Sequence, residues 1–454
     1  MTDKQNSKIM TNRIVISDAV KHVGEVIAVC GWVYLRRDHG KLIFLSLRDR
    51  SGMLQIVVNA NVSQSAYEAT KDIRPEFVLK VGGIVKKRPE NAVDKNSLAG
   101  SVELEAKEIT VLAKAETLPF DMGGKDLKLE LPTLLDHRAL TLRHPSVAFI
   151  FKVQAAISEG FRKAAQGLGC AEIFVPTIVP SATEGGADVF DINYYIHKAY
   201  LAQSPQLYKQ MLVPVFERVF TIAHAYRAEP SVTTRHLSEI VQMDCEFGFA
   251  GFEDLLNYAE LVGTETLKYA ENQCKKEFEY YNVERISFGK IERLKLREAQ
   301  EIIFKETGRD VRKEKDLGPQ DEIDICKWAL KNHKSDFVTI THFPTKTKPF
   351  YTMPDPEDAE YSLSYDLLFR GTEIMSGSQR ISDYSSLVSA IKDRGMDVKK
   401  FEMYLQAFKY GMPPEGGFSF GLERTTMKLL GLKNIREASL FPRDMERVDE
   451  SFSH

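Results

Sequence analysis

The sequence predicts an α+β chain in two unequal parts. Residues 1–112 read as a small all-β domain, 113–145 as a hinge, and 146–454 as a larger domain of antiparallel strands flanked by helices. Three observations carry this reading. Five β-rich runs follow one another before residue 113, with a single helical stretch between the third and fourth. Hydrophobic periodicity turns helical at His144. Residues 219–249 read as two alternating strands around a polar loop. A length of 454 residues accommodates two or three domains and a large core.

Composition excludes several classes. With 43% hydrophobic and 28% charged residues the chain is neither disordered nor collagen-like. A net charge of −3 argues against a generic polyanion binder and leaves room for a local basic groove. The five cysteines (Cys30, Cys170, Cys245, Cys274, Cys326) are scattered without CxxC spacing. That usage predicts reduced, mostly buried thiols and a cytoplasmic setting. The first residues, MTDKQNSKIMTNR, lack the apolar core of a signal peptide. No apolar run approaches the ~18 residues of a membrane span.

In the first domain the β-rich runs are 25–34, 41–48, 53–59, 77–87 and 102–112. Turns at Asp38-His39-Gly40 and Asp49-Arg50-Ser51-Gly52 separate the early ones. Residues 62–73 supply the helix. Five strands with a helix after the third is the order of an OB-fold barrel, whose strand 2–3 face binds single-stranded nucleic acid. Phe44 has the parity of Leu42 and Ser46, while Ile43, Leu45 and Leu47 form the continuous apolar set. Phe44 therefore points out of the barrel and offers a stacking face. Arg36-Arg37 and Lys86-Lys87-Arg88 offer backbone contacts. The alternative is a purely structural barrel with Phe44 in its core.

In the larger domain Val147, Ile150, Phe151, Ala155, Ile157, Phe161 and Ala165 repeat at helical spacing, and Gly169 stops the helix. A short strand at 172–175 ends at Pro176. A Gly-bearing loop, Thr183-Glu184-Gly185-Gly186, precedes the run AQSPQLYKQ at 202–210. In the strand pair, Phe220, Ile222 and Tyr226 share one face, with Ala223, Ala225, Arg227 and Glu229 opposite. On the return strand Val241, Met243, Cys245 and Phe247 oppose Gln242, Asp244 and Glu246. A polar platform on a hydrophobic floor follows; the bland alternative is an exposed, salt-bridged hairpin. Helices are predicted over 252–280, 294–306 and 320–332, and a strand over 337–343.

The last third alternates again. A strand pair over 362–369 and 373–380 turns at Arg370-Gly371. Helices follow over 384–394 and 399–410. Residues 416–424, GGFSFGLER, run from strand into helix. Arg424 sits in the first turn of that helix, where a cation costs about 0.3–1 kcal/mol against the helix dipole. The functional reading is an Arg presented to an anionic ligand; the bland one is an Arg paired with a nearby acid. No GK[ST] follows, so the glycines are not a Walker loop. Asp366 and Glu373 are candidate magnesium ligands, because hard cations take carboxylate oxygens. Glu373 and Arg380 lie seven residues apart, on opposite faces of a regular strand. A bulge at Ser376-Gly377 would bring both to one face.

Together, the helix ending before Pro176, the RAE…RHLSE hairpin and the GLER strand–helix resemble the three motifs of class II aminoacyl-tRNA synthetases. The resemblance covers almost the whole chain, because the barrel resembles the anticodon-binding OB domain of the class IIb subgroup. TEGG followed by AQSPQLYKQ, with SGSQR and FPRD in support, is similar to the aspartyl enzymes of the archaeal/eukaryotic type. The resemblance implies aspartate–tRNA ligase activity. L-aspartate and ATP give aspartyl-adenylate and pyrophosphate, and aspartate then passes to the 3′ end of tRNA(Asp). It further implies magnesium with ATP as cofactor and a homodimer formed through motif 1.

The resemblance also assigns roles. Arg227 resembles the motif 2 arginine on the α-phosphate and substrate carboxylate, and Arg424 the motif 3 arginine that stacks on adenine. These two are the catalytic candidates. Glu229, Arg235, His236, Glu373 and Gly421 complete the ATP site. Glu184, Gln206 and Asp244 resemble the cradle of the aspartate ammonium, and Lys209, Arg380 and Ser376 the clamp on its side-chain carboxylate. Asp366 and Glu373, with Ser376, resemble the magnesium ligands. Arg37, Phe44, Gln55 and Glu103 resemble anticodon-contacting positions. One departure is Ile240, where eukaryotic enzymes carry Phe against adenine.

Three rivals remain in view. An asparaginyl enzyme on the same fold is opposed by Lys209. A catalytically silent RNA-binding paralogue is opposed by the retained Arg227, Glu229, Asp366, Glu373 and Arg424. An ammonia-using asparagine synthetase lacks the barrel. Tyr34 and Ala92, where enzymes restricted to tRNA(Asp) tend to carry Trp and Lys, favour charging of tRNA(Asn) as well.

Overall fold

The computed structural model describes residues 13–94, 97–180, 189–230 and 233–452. The chain divides into two compact units between Leu127 and Lys128.

The first unit is a closed barrel. Its strands are β1 (Val26–His39), β2 (Leu42–Asp49), β3 (Gly52–Asn59), β4 (Val78–Lys87) and β5 (Val102–Ala113), with α1 (Gln64–Ala69) after β3. They close in the order β1-β2-β3-β5-β4, and only β3 and β5 pair in parallel. Alternation builds the interior. Ile43, Leu45 and Leu47 of β2 meet Leu54, Ile56 and Val58 of β3 in one buried cluster with Val81 and Leu104. Helix α1 is shorter than the predicted 62–73. Ser63 caps its start by accepting from Ala66 N, and Pro75 downstream disfavours helical geometry before it.

The second unit is built on an eight-stranded sheet. Helix α2 (Pro145–Gly167) leads into β6 (Ala171–Glu172). Helix α3 (Gln206–Phe216) precedes β7 (Arg218–Tyr226) and β8 (Glu239–Gly248), and α4 (Phe252–Gln273) follows. Next come β9 (Glu292–Lys295), α5 (Leu296–Thr307), α6 (Pro319–His333) and β10 (Phe337–Thr341). Strands β11 (Ser364–Phe369) and β12 (Thr372–Gln379), helix α7 (Glu402–Lys409), β13 (Glu415–Gly421) and α8 (Leu422–Leu430) follow, and a separate three-stranded sheet lies within residues 178–201. The strand order is β9-β10-β11-β12-β13-β8-β7-β6. The sheet is antiparallel through its middle, with a parallel pair at each edge.

Helices α2 and α4 pack on the apolar face. Ile150, Val153, Ile157 and Phe161 join Leu255, Val262 and Leu267 and the inward side chains of the sheet in the main core. Gly160 permits their close approach, since a Cβ there would stand 2.9 Å from Thr266 O. The predicted helix over 252–280 breaks at Cys274, where φ −112° and ψ 37° leave the helical region. The predicted strand at 172–175 shrinks to two residues, because Phe174, 86% exposed, has left the sheet.

One sequence expectation is corrected in β12. The irregularity lies not at Ser376-Gly377 but at Ile374, since Leu367 pairs with Met375 and Leu368 with Glu373. Ile374 and Met375 are consecutive, yet both enter the core, which a regular strand forbids. The extra residue puts Glu373 on the side of Ser376, Ser378 and Arg380. Gly377 serves another purpose: a Cβ there would meet the Tyr365 ring at 2.4 Å.

All five cysteines are unpaired and four are buried. Among the described residues no helix is long and apolar enough to cross a membrane.

Candidate active site

The predicted hairpin is β7–β8, paired antiparallel from Arg218 with Phe247 to Tyr226 with Glu239. Met243, Cys245 and Phe247 go into the core. The opposite face carries Gln242, Asp244 and Glu246 as expected, but at 6%, 1% and 0% exposure it is not open to solvent. Helix α3 covers it, and the polar face becomes the buried floor of a site.

Four charged side chains meet on that floor. Lys209 Nζ, from α3, lies 3.0 Å from Asp244 Oδ2 and 3.1 Å from Glu246 Oε2. Arg380, just past β12, donates from Nε to Glu246 Oε1 at 2.8 Å and from Nη2 to Gln206 Oε1 at 3.2 Å and Gly417 O at 3.1 Å. The predicted Lys209 and Arg380 therefore converge, and Gln206 and Asp244 stand with them. Burial alone would raise the Glu246 carboxyl, but Arg380 and Lys209 overcome it and hold it at about 2. Asp244 Oδ1 is buried and has no hydrogen-bond partner among the described residues. Such an orphan acceptor is costly unless a ligand donor completes it. Glu184, assigned to the same cradle, lies outside the described residues.

A second cluster lies where β11, β12 and α8 come together. Asp366 pairs across the strands with Ser376, and burial, reinforced by Glu373, pushes its carboxyl up to about 6 despite Lys348 at 3.5 Å. Asp366 Oδ1 also lacks a partner among the described residues. Arg424 Nη1 stands 3.3 Å from Glu373 Oε1 and donates to Glu373 O at 3.2 Å. Gly421 is the N-cap of α8, so Arg424 does occupy the first turn. Glu322, on the first turn of α6, accepts from Glu373 N at 3.3 Å and pairs with Arg235 at 3.5 Å. Burial, with Glu373 nearby, pushes Glu322 up to about 7. His236 Nδ1 lies 2.5 Å from Thr233 Oγ1. Arg227 and Glu229 stand just beyond β7, half-buried, and Arg227 N bonds to Ser238 O across the loop mouth. Neither side chain has a partner among the described residues.

Two features fit a divalent cation at Asp366 and Glu373: the orphaned buried oxygen and a pair of hard carboxylates. Among the described residues no three His, Cys, Asp or Glu side chains form a metal cage. A site of two carboxylates, water and phosphate is the arrangement magnesium favours.

In the first unit, Phe44 is half-buried on the outer side of β2, beside Arg37 of β1 in register and stacked edge-on with His39 at 5.7 Å. Gln55 of β3 pairs in register with Glu103 of β5 and donates to it at 2.9 Å. Arg88 in turn donates to Gln55 Oε1 at 3.3 Å. Arg37, Phe44, Gln55 and Glu103 thus lie on one outward surface of the β1-β2-β3-β5 stretch.

Sequence reasoning gave no role to Glu246, Glu322, Lys348 or Glu415. Glu246 shares the parity of Asp244 and could have been read from it. Glu322 and Lys348 reach the site from elements distant in sequence, with no local signal.

A family model described as "tRNA synthetases class II (D, K and N)" matches residues 130–445, and one described as "OB-fold nucleic acid binding domain" matches residues 27–112. The chain is 40% identical to the aspartate–tRNA(Asp/Asn) ligase of Thermus thermophilus over 96% of its own length and 99% of that protein's. It is 36% identical to the aspartate–tRNA(Asp) ligase of Thermococcus kodakarensis, covering 94% and 96% of the two. Among solved structures, asparaginyl-tRNA synthetase from Pyrococcus horikoshii, complexed with asparaginyl-adenylate, matches with a TM-score of 0.86 and 31% identity over 94% of this chain and 97% of that one. The two family matches span both compact units, and with this kinship they give the conclusion that the chain belongs to the class II aminoacyl-tRNA synthetases of the D, K and N group.

Proposed function

We propose that this enzyme is an aspartate–tRNA ligase that charges tRNA(Asp) and also tRNA(Asn). The observation that carries the amino acid assignment is the buried pair Lys209 and Arg380, converging on one point beside Asp244. Once Asp244 turns to the substrate ammonium, Lys209 and Arg380 face Glu246 alone, so a substrate carboxylate restores the balance and the isosteric neutral amide leaves one buried cation uncompensated. The substrate ammonium completes the orphaned Asp244, with Gln206 beside it and with Glu184 assigned to the same task by the resemblance alone. Ser376 closes the carboxylate side.

ATP lies along Arg227, Glu229, Arg235, His236, Glu373, Gly421 and Arg424. Arg227 forks onto the α-phosphate and the substrate α-carboxylate, a bidentate task for a planar guanidinium. Arg424 leaves Glu373 and stacks on adenine, and Glu229 accepts from the adenine amino group. Ile240 gives adenine no aromatic partner on the other side. Asp366, Glu373 and Ser376 would hold magnesium, which supplies charge neutralisation on the phosphates. The aspartate α-carboxylate attacks the α-phosphorus in line, and pyrophosphate leaves. The terminal ribose hydroxyl of the tRNA then attacks the adenylate carbonyl and AMP departs. No side-chain nucleophile takes part; Arg227 and Arg424 act by positioning and by preorganised charge.

Arg37, Phe44, Gln55 and Glu103 meet the anticodon, with Phe44 as the stacking platform. Tyr34 and Ala92 in the barrel, and the naming of several relatives for both tRNAs, favour relaxed specificity at the last anticodon base. Exposed Phe174, at 86%, lies in the motif 1 segment and suits burial against a second copy there. The enzyme acts in the cytoplasm. ATP–pyrophosphate exchange with aspartate and asparagine tests the amino acid, with aspartate expected to win by ~10⁴. Charging of purified tRNA(Asp) and tRNA(Asn) tests the acceptor. Equal exchange with the two amino acids would end the aspartate reading.

A further inference from the structure

Behind the cation pair lies a carboxyl group that the reaction does not use. Glu415, the first residue of β13, is fully buried. Its Oε1 accepts from Gln210 Nε2 at 2.7 Å. Its Oε2 is buried and finds no donor among the described residues. Yet Glu246 of β8 pairs across the strands with Gly417 of β13, so Glu415, two residues before Gly417, lies on the same face as the diagonal neighbour of the Glu246 carboxylate, within side-chain reach of it. Two carboxylates can share a hydrogen bond only if one of them carries a proton. Glu246 is committed as an anion, since it accepts from Arg380 Nε at 2.8 Å and lies 3.1 Å from Lys209. The proton therefore belongs to Glu415.

We infer that Glu415 is a positioning residue of the aspartate clamp, a neutral acid that donates to Glu246 and so fixes the carboxylate that holds Lys209 and Arg380 in place for a substrate carboxylate. The inference rests on the aspartate reading above. Charge bookkeeping within the buried set gives the reason. Lys209 and Arg380 balance Asp244 and Glu246. An ionised Glu415 would leave two cations facing three anions before any substrate arrived. A neutral Glu415 keeps the set balanced and fixes the Glu246 carboxylate by a charge-assisted hydrogen bond.

The surroundings agree. Facing Glu415 are Gln210 from α3, Glu246 from β8, Arg380 after β12 and Tyr404 from α7, with Tyr351 next to Tyr404. Tyr404 donates to Gln210 Oε1 at 3.1 Å, as does Gln206 Nε2 at 3.0 Å. Gln210 is thereby oriented with its amide nitrogen toward Glu415. Arg380 is the nearest cation, and it is already spent on Glu246. Burial, with Glu246 adding to it, raises the Glu415 carboxyl well above the usual carboxylate range.

Two substitutions separate donation from packing. Glu415→Gln keeps a donor toward Glu246 and an acceptor for Gln210, and is always neutral. Glu415→Met keeps the volume and loses the donor. ATP–pyrophosphate exchange should give Glu415→Gln an aspartate KM close to the wild type. Glu415→Met should raise the aspartate KM about 10–150-fold, the factor for losing a hydrogen bond to a charged group, with the ATP KM little changed. The infrared spectrum of the unliganded wild type at pH 7 should contain a protonated-carboxyl C=O stretch that Glu415→Gln removes. A wild-type aspartate KM in Glu415→Met would make Glu415 a space filler and overturn the inference. So would a loss in Glu415→Gln as large as in Glu415→Met, or no difference in the carboxyl band. The band does not depend on the substrate. A wild-type enzyme inactive with aspartate would refute the aspartate reading, while normal aspartate exchange with an unchanged band would refute the role of Glu415 alone.

Discussion

Lys209→Met is the perturbation that tests the clamp most directly. Methionine keeps an unbranched chain of similar length and removes only the ammonium. Lys209, Asp244 and Glu246 are at most 1% exposed in their side chains, so solvent cannot compensate. Removing one partner of a buried ion pair costs about 3–5 kcal/mol. At roughly 2 °C per kcal/mol for a domain of this size, the melting temperature should fall by roughly 6–10 °C. The effect on selection is separate. With Lys209 gone, the substrate carboxylate meets Asp244 and Glu246 with Arg380 as the one remaining cation of the set. One unit charge at about 4 Å and an effective dielectric near 20 is worth about 4 kcal/mol, or about 10³ in rate. Asparagine carries no charge and loses much less. The aspartate-to-asparagine ratio in pyrophosphate exchange should therefore drop by about 10³. Both readouts come from one preparation. If the melting temperature falls but the ratio holds, Lys209 is a structural ion-pair partner only. If neither moves, the electrostatic account of the floor is wrong.

Further expectations rest on other parts of the molecule. Arg227→Lys keeps the charge and loses the fork; exchange should fall at least ~10²-fold with an unchanged melting curve, and near-normal exchange would leave the hairpin mouth structural. Phe44→Ala should weaken tRNA charging by roughly 5–150-fold, the factor for losing one stacked base. Exchange without tRNA should not change, and a joint fall in exchange and melting temperature would instead make Phe44 a core residue. Glu322 gives a pH signature. Its carboxyl is raised to about 7 in the folded protein, so ionising it opposes folding: the penalty is absent below the unfolded value near 4.3, grows as pH rises toward 7, and is complete above it. Glu322→Gln removes up to about 3–4 kcal/mol of that penalty, so it should melt higher than the wild type at pH 8 and equal to it at about pH 3.5, below the unfolded value. Equal melting at both values would show that Glu322 is not held above its ordinary range.

Much of this molecule is local and was legible in the order of its residues. The barrel strands announce themselves by alternation, because one face must be buried and the period of a strand is two. The side of β2 that carries Phe44 follows from the same rule, as does the sharing of one β8 face by Asp244 and Glu246. The glycines and strand that lead into it predict Arg424 in the first turn of a helix, and it is there. What the order of residues could not decide is which polar groups meet after folding, and in what dielectric. The β7–β8 face reads as a solvated platform until α3 covers it. Lys209 and Glu246 are 37 residues apart, and Arg380 and Glu246 are 134 apart, so no periodicity links them. The bulge at Ile374 arises because two consecutive apolar side chains both enter the core, a demand set by α4 and the neighbouring strands rather than by Gly377. Glu322 and Glu415 are ordinary acids in the sequence. Burial, and the neighbours that burial imposes, make one an acid poised near neutrality and the other a proton holder behind the clamp, because the cost of a charge depends on the water it has lost.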